Sequence, residues 1–357
     1  MNITLPCQDH RAIFHFFSTI KLQNKFNSES NIQMNQLLPW EIINQISIFS
    51  IQSNYEMNLI WRLVSKIFWE KIKPIKNKNI VEKLVNLIVS HADINDNYCF
   101  KFLNEIGYTS FTKQSKLCSI IAQHNKFNLL KRARKMGFDW NSDTCAKAAM
   151  NGHLEILKWA RANGCNWNSN TCTYAVVYGH LEVLKWARAN GCVWDANICL
   201  NAASNGRLEI LKWARANGCD WDSLTCHGAA ENGYLEVLKW ARTNGCPWTS
   251  STCYGAAKNG HLEVLKWAIT NGCDWGPRVC SDAAYNGHLE VLKWARTNGC
   301  DWNSYTCSSA AKNGHLEVLK WARENGCHWD VYTYLNAIHC NDKQLLEWVQ
   351  NNHCPEN

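Results

Sequence analysis

Between residues 141 and 167 the apolar positions fall into two short stretches with helical spacing, each closed by an Asn-Gly pair. In the first, Thr144, Cys145, Ala148 and Ala149 share one face, and positions 143, 146, 147 and 150 make up the other. In the second, Ile156, Leu157, Trp159 and Ala160 share one side. Glu155, Lys158 and Arg161 share the opposite side, three apart, which reads as a solvated ion-pair stripe. This pattern predicts a first helix over about 142–150 and a second over about 154–162. Asn141 suits the N-cap of the first helix, and Asn151-Gly152 and Asn163-Gly164 supply left-handed stops. Helices this short are unstable alone, so stacking on neighbouring units must stabilise them.

The same unit recurs. Trp is spaced by 27 residues from Trp159 to Trp348 and again from Trp140 to Trp329. Cys keeps the same period from Cys118 to Cys307 and from Cys165 to Cys354, so 16 of 19 Trp and 16 of 19 Cys count copies of one repeat. The N-cap column continues with Asn168, Asp195, Asp222, Thr249, Asn303 and Asp330, and Pro277 follows it at a position suited to a helix start. The expected fold class is all-α, a helix-turn-helix repeat solenoid of about nine short units. Trp159 flanks the buried side of its helix and Trp167 follows the loop toward the next unit. Both are expected to pack structurally, each burying about 150–250 Å².

Comparison between copies separates core from surface. The face carrying Thr144, Cys145, Ala148 and Ala149 barely changes, whereas the opposite face of the first helix changes almost every time. A fixed core beside a varied exterior is the pattern of a modular recognition surface; drift of solvated positions is the alternative. On the recognition reading, the candidate target-binding residues are Tyr174, Leu200, His227, Tyr254, Lys258, Tyr285, Tyr305 and Tyr332, on what would be the concave side of the array. Exposed tyrosines are frequent binding anchors.

The run NGHLEVLKWARANGC (residues 178–192 as YGHLEVLKWARANGC) resembles the second half of an ankyrin repeat. The usual ankyrin unit has 33 residues, and the shortfall here lies between Trp140 and Thr144, where that family builds a projecting hairpin finger. Tight turns with little or no strand are therefore expected. Cys145 stands near the family's leucine and Cys165 where it has a small residue; the Thr-Pro-Leu-His start is missing. The resemblance covers about residues 112 to 354. It implies that His153, His180, His261, His288 and His315 form hydrogen bonds between adjacent turns, with Arg207 and Tyr234 replacing them in two copies.

The first hundred residues lack the period. Pro39 suits a helix start, and Ile42, Ile43, Ile46 and Phe49 recur at helical spacing; a second amphipathic run carries Leu59, Leu63, Val64, Ile67 and Phe68. This segment resembles an F-box, the module that docks on Skp-type adaptors of cullin ubiquitin ligases. Leu38 and Pro39 match its start, Leu59 its central leucine, and Val64-Ser65-Lys66 with Phe68 its ending. The resemblance implies adaptor contacts from Leu38, Pro39, Ile42, Ile46, Leu59, Val64 and Phe68; a two-helix cap of the solenoid is the alternative. The expected organisation is an extension over 1–35, the F-box-like module over 36–75, a helical connector or degenerate repeat over 76–113, and the array over 114–354. Within 76–113, helices are expected over about 80–89 and 98–106. Such pairings resemble proteins encoded by large DNA viruses of amoebae. They imply a substrate receptor that presents a captured protein to a ligase, or else a scaffold that binds or blocks a host protein.

Composition adjusts this reading only at the margins. Hydrophobic residues at 46% exclude a chain disordered throughout. A net charge of +7 over 357 residues does not call for nucleic acid. No stretch approaches the roughly 18 apolar residues of a membrane span, and no secretory signal opens the sequence, so free thiols and a cytoplasmic location are expected. Cys165 and Cys172 are separated by six residues, not the two to four of paired zinc ligands. Small buried thiols explain both Cys series. No phosphate loop or nucleophile motif is present, so neither cofactor, metal nor catalysis is expected, a zinc or thiol-based activity being the third alternative, and the chain alone is expected to be a monomer.

Overall fold

In the computed structural model, residues 85, 86, 89, 90, 100 and 116–356, apart from 195 and 196, are described. The chain divides into two compact units, 1–112 and 113–357. In the first unit the five described residues are helical, and Val85, Val89 and Phe100 are buried. The F-box-like residues Leu38 to Phe68 lie outside the described residues.

The second unit is all-helical among its described residues, with eighteen helices in nine consecutive pairs. They are α1 (Lys116–Gln123) with α2 (Phe127–Lys135), α3 (Ser142–Met150) with α4 (Leu154–Ala162), α5 (Ser169–Tyr178) with α6 (Leu181–Ala189), and α7 (Ile198–Ser204) with α8 (Leu208–Ala216). Next come α9 (Ser223–Glu231) with α10 (Leu235–Thr243), α11 (Ser250–Lys258) with α12 (Leu262–Thr270), and α13 (Arg278–Tyr285) with α14 (Leu289–Thr297). The last are α15 (Ser304–Lys312) with α16 (Leu316–Glu324), and α17 (Val331–His339) with α18 (Lys343–Asn351). The bounds of α3 and α4 are those predicted by pattern. Asn141, Asp222, Asn303 and Asp330 accept a backbone N–H two residues on, while Asn168 and Thr249 make no such side-chain cap. Pro277, with φ −57°, directly precedes Arg278 at the start of α13.

The first helix of each pair stacks on the first helix of the next. Thr144, Cys145, Ala148 and Ala149 are 0% exposed, and such small side chains permit close helix approach. The second helices of neighbouring pairs stay further apart, and tryptophan fills that gap. Trp167 meets Trp186 of the next unit edge-on at 5.7 Å between ring centres, and a Trp–Trp contact recurs from Trp140–Trp159 to Trp329–Trp348, edge-on except at Trp275–Trp294. The expectation that these Trp pack structurally thus holds, although the rings are half-buried.

Arg161 departs from its expected place in the solvated stripe. Its guanidinium lies 4.3 Å over the Trp167 ring and donates to the Cys165 carbonyl at 2.6 Å. The long side chain swings back from the helix because a planar cation gains more on an indole face than in water. The stripe itself reduces to Glu155 and Lys158, 2.8 Å apart, a pairing repeated in all seven close copies.

Turns between paired helices lock one unit to the next. His180 Nε2 lies 3.1 Å from the Met150 carbonyl, as His153 does from Gln123 and, at 3.0 Å, His288 from Lys258. The His180 and His288 rings lie over Gly152 and Gly260, the turn glycines of their preceding units. A Cβ on Gly152 would sit 2.7 Å from the His180 ring, and its φ of +74° already favours glycine.

The thiols are core groups. Of the seventeen described cysteines all are free, and all but Cys340 are buried. Cys165 Sγ lies 3.2 Å from the Asn141 carbonyl of its own unit and meets the Cys145 thiol. Cys145 is pushed well above the ordinary thiol range by its hydrogen bond to Cys165 and by burial. Cys118, whose unit has Phe138 in place of the second thiol, is raised to about 12 by burial.

Candidate functional site

The varied face of the first helices forms a continuous row from α3 to α17. Its members differ in how far they project. Tyr305 and Tyr332 are 69% and 64% exposed, Tyr285 is 38% exposed, and Lys258 is also exposed. Tyr174, Leu200, His227 and Tyr254 are half-buried.

The difference has a local cause, and it corrects the expectation that the whole varied face stands open. Column 146 of the repeat lies beneath the next first helix, so Ala146 and Ser308 are buried outright. Larger residues in that column fold over the following unit wherever glycine leaves room. Leu200 and Ser204 cover Gly228, where an added Cβ would lie 2.9 Å from Leu200 Cδ1 and 2.2 Å from Ser204 Oγ. His227 covers Gly255 in the same way, at 3.0 Å.

Around these positions the row is cross-linked between units. His227 Nδ1 is 2.9 Å from the Ser251 carbonyl, and its Nε2 is 3.5 Å from Glu231. Glu231 in turn lies 3.6 Å from Lys258 of the next unit. Arg278 stacks 5.1 Å over Tyr254 and holds Asp282 at 3.1 Å. Burial raises the Asp282 carboxyl above its usual range, and Arg278 partly offsets this. Lys312 lies 5.8 Å from the centre of the Tyr285 ring, and Asn313 donates to the Tyr285 carbonyl at 2.7 Å. Tyr174 meets Tyr178 edge-on at 6.4 Å. Side chains held in this way lose little further freedom when a partner binds.

Several surface residues were absent from the sequence-based set. Leu224 (48% exposed) and Arg278 stand in the same column as Tyr305, so column-by-column comparison was sufficient to find them. Tyr178 breaks a column of asparagines, and that break was the available signal. Among the described residues no group of three or more His, Cys, Asp or Glu could hold a metal ion, and no helix is long and apolar enough to cross a membrane.

No family model matches the chain, and no curated protein matches it. Among solved structures, the chain is similar to the crystal structure of the human ASB11 ankyrin repeat domain. The two are 19% identical with a TM-score of 0.38, over 44% of this chain and 84% of that domain.

Proposed function

We propose that this chain is a protein-binding adaptor with no catalysis of its own, capturing a target protein along the row of first helices. The observation that carries this reading is the contrast across those helices. Tyr305 and Tyr332 stand 69% and 64% exposed, while Thr306, Cys307 and Thr333 beside them are 0% exposed. Large aromatic side chains held in water on a rigid scaffold cost solubility, and binding a partner recovers that cost. The row differs in every unit, so it suits one extended partner surface, not a repetitive ligand. The half-buried positions Tyr174, Leu200, His227 and Tyr254 set the shape of the row, while Lys258, Tyr285, Tyr305 and Tyr332 make the outer contacts.

The F-box-like segment adds a second half to the proposal. By its resemblance, Leu38, Pro39, Ile42, Ile46, Leu59, Val64 and Phe68 engage a Skp-type adaptor, and the captured protein is thereby presented to a cullin ubiquitin ligase. Two measurements separate the halves. Tyr305→Ala with Tyr332→Ala is expected to lose partners that the wild-type chain pulls down; an unchanged set removes the capture surface from that face. Co-elution with a Skp-type adaptor at micromolar concentration is expected for wild type and not for Pro39→Ala with Ile42→Ala. If wild type fails to co-elute, the ligase half falls and a plain binding scaffold is left.

A further inference from the structure

The net charge of the repeat unit is concentrated at one place. Residues 113–140 hold seven Lys and Arg against one Asp, a net +6, whereas residues 141–357 hold nineteen against twenty, a net −1. The excess comes from departures from the repeat, all in one direction. In the close copies the second helix carries a Glu that neutralises a Lys three residues on, at 2.7–2.9 Å. In α2 that Glu is replaced by Asn128, so Lys131 has no acid at that spacing and lies 4.0 Å over the Phe127 ring instead. The Trp column holds Arg132, and the column of Ala162 and Thr243 holds Lys135. Lys131 and Lys135 are exposed, and Met136 beside them is 47% exposed. Cations in the last turn favour a helix C-terminus, but the other second helices manage with a single Arg or none.

From this we infer that the outer face of α2 is a second docking surface, which takes an acidic peptide segment of a partner protein with an apolar residue seated on Met136. The surface suits a peptide better than a nucleic acid or a membrane. The nine residues of α2 span about 13 Å, enough for a short segment but not for a backbone-tracking groove. Its one aromatic ring, Phe127, is half-buried, with Lys131 over one face and Trp159 packed against it at 5.8 Å, so it is a poor platform for a stacked base. A single short helix with one exposed Met offers little apolar surface to insert into lipid.

The test uses the full chain and a fluorescent peptide of about fifteen Glu, Asp and Leu residues, with its Gln and Asn counterpart as control. The acidic peptide is expected to bind and the neutral one not. Lys131→Glu with Lys135→Glu is expected to weaken binding about tenfold or more, and raising salt from about 50 to 200 mM to weaken it several-fold. Both side chains are exposed, so an unchanged melting temperature serves as the folding control. Tyr305→Ala with Tyr332→Ala is expected to leave peptide binding unchanged. Equal binding by the Glu variant overturns the inference, as does loss in the Tyr variant, which would move the site to the first-helix row. Tighter binding of a single-stranded oligonucleotide, or of vesicles containing phosphatidylserine, overturns it too.

Discussion

Arg207 reaches back thirty residues to the Val177 carbonyl, donating its Nε–H at 3.1 Å. It does there what His180 does one unit earlier with Met150, and its guanidinium covers Gly179 as the His180 ring covers Gly152. A guanidinium and an imidazole thus serve one purpose: a flat donor over a bare glycine, tying each turn to the one before. Arg207→His should therefore leave the urea midpoint within error of wild type. Arg207→Ala leaves the carbonyl without its protein donor and should cost about 1 kcal/mol. A larger loss for His than for Ala would refute the equivalence.

The tryptophan edge contains its own control. In most close copies an Arg stacks on the loop Trp, but Ile269 occupies that column in one unit. There Trp275 and Trp294 meet at a tilt of 40°, whereas the other pairs are close to perpendicular. Ile269→Arg should add the missing stack and stabilise the array by about 0.5–1 kcal/mol, read as a higher urea midpoint. Trp213→Ala removes the 5.8 Å contact with Trp194 between units and should cost about 2–3 kcal/mol, since the ring is only half-buried. Because each unit is stable only through its neighbours, the loss should appear as one cooperative transition at lower temperature. A melting temperature within a degree or two of wild type would sink that role.

A buried hydroxyl column offers the opposite sign. Thr144, Thr171, Thr252 and Thr306 are 0% exposed, and Thr252 Oγ1 has no hydrogen-bond partner. The same column accepts Ile198 and Val279, both 0% exposed, so the packing needs a β-branched shape and not an oxygen. Thr252→Val should be neutral or stabilise by up to about 1 kcal/mol. Calorimetry showing clear destabilisation would mean that the hydroxyl is bonded.

These cases mark where a linear pattern stops being informative. Helix ends at Met150 and Ala162 were legible because Asn-Gly pairs stop a helix by backbone geometry that needs no neighbours. The all-α repeat and the buried thiols followed from period and face for the same reason. The partner of Trp167 was not legible, since two Trp series with one spacing leave open which rings meet. Arg161 was misassigned because a helical wheel fixes where a side chain leaves the backbone, not where six further atoms carry it. Column 146 was misjudged because the wheel treats each helix alone, while a helix packed at close range covers part of its outer face. Leu200 and His227 were found as candidates, but their half-buried state depends on Gly228 and Gly255 one unit on.

Two histidines give the array a pH dependence whose sign can be derived. Burial lowers the His153 and His288 imidazoles below the ordinary value of 6.5, although their carbonyl partners Gln123 and Lys258 work against it. The unfolded chain therefore takes up protons near pH 6.5 and the folded array only at lower pH. In between, the unfolded state binds more protons, so acid favours unfolding. The contribution is fully present above about pH 6.5 and is lost as pH falls from there toward the folded-state values. Asp282 acts in the opposite sense, because its carboxyl is raised by burial and the fold holds a proton more readily than the unfolded chain. The urea midpoint of wild type should accordingly fall between about pH 7.5 and 5.5, and His153→Gln with His288→Gln should flatten that fall while leaving any Asp282 contribution in place. An identical pH profile for the double variant would show that these two rings are not the groups that titrate.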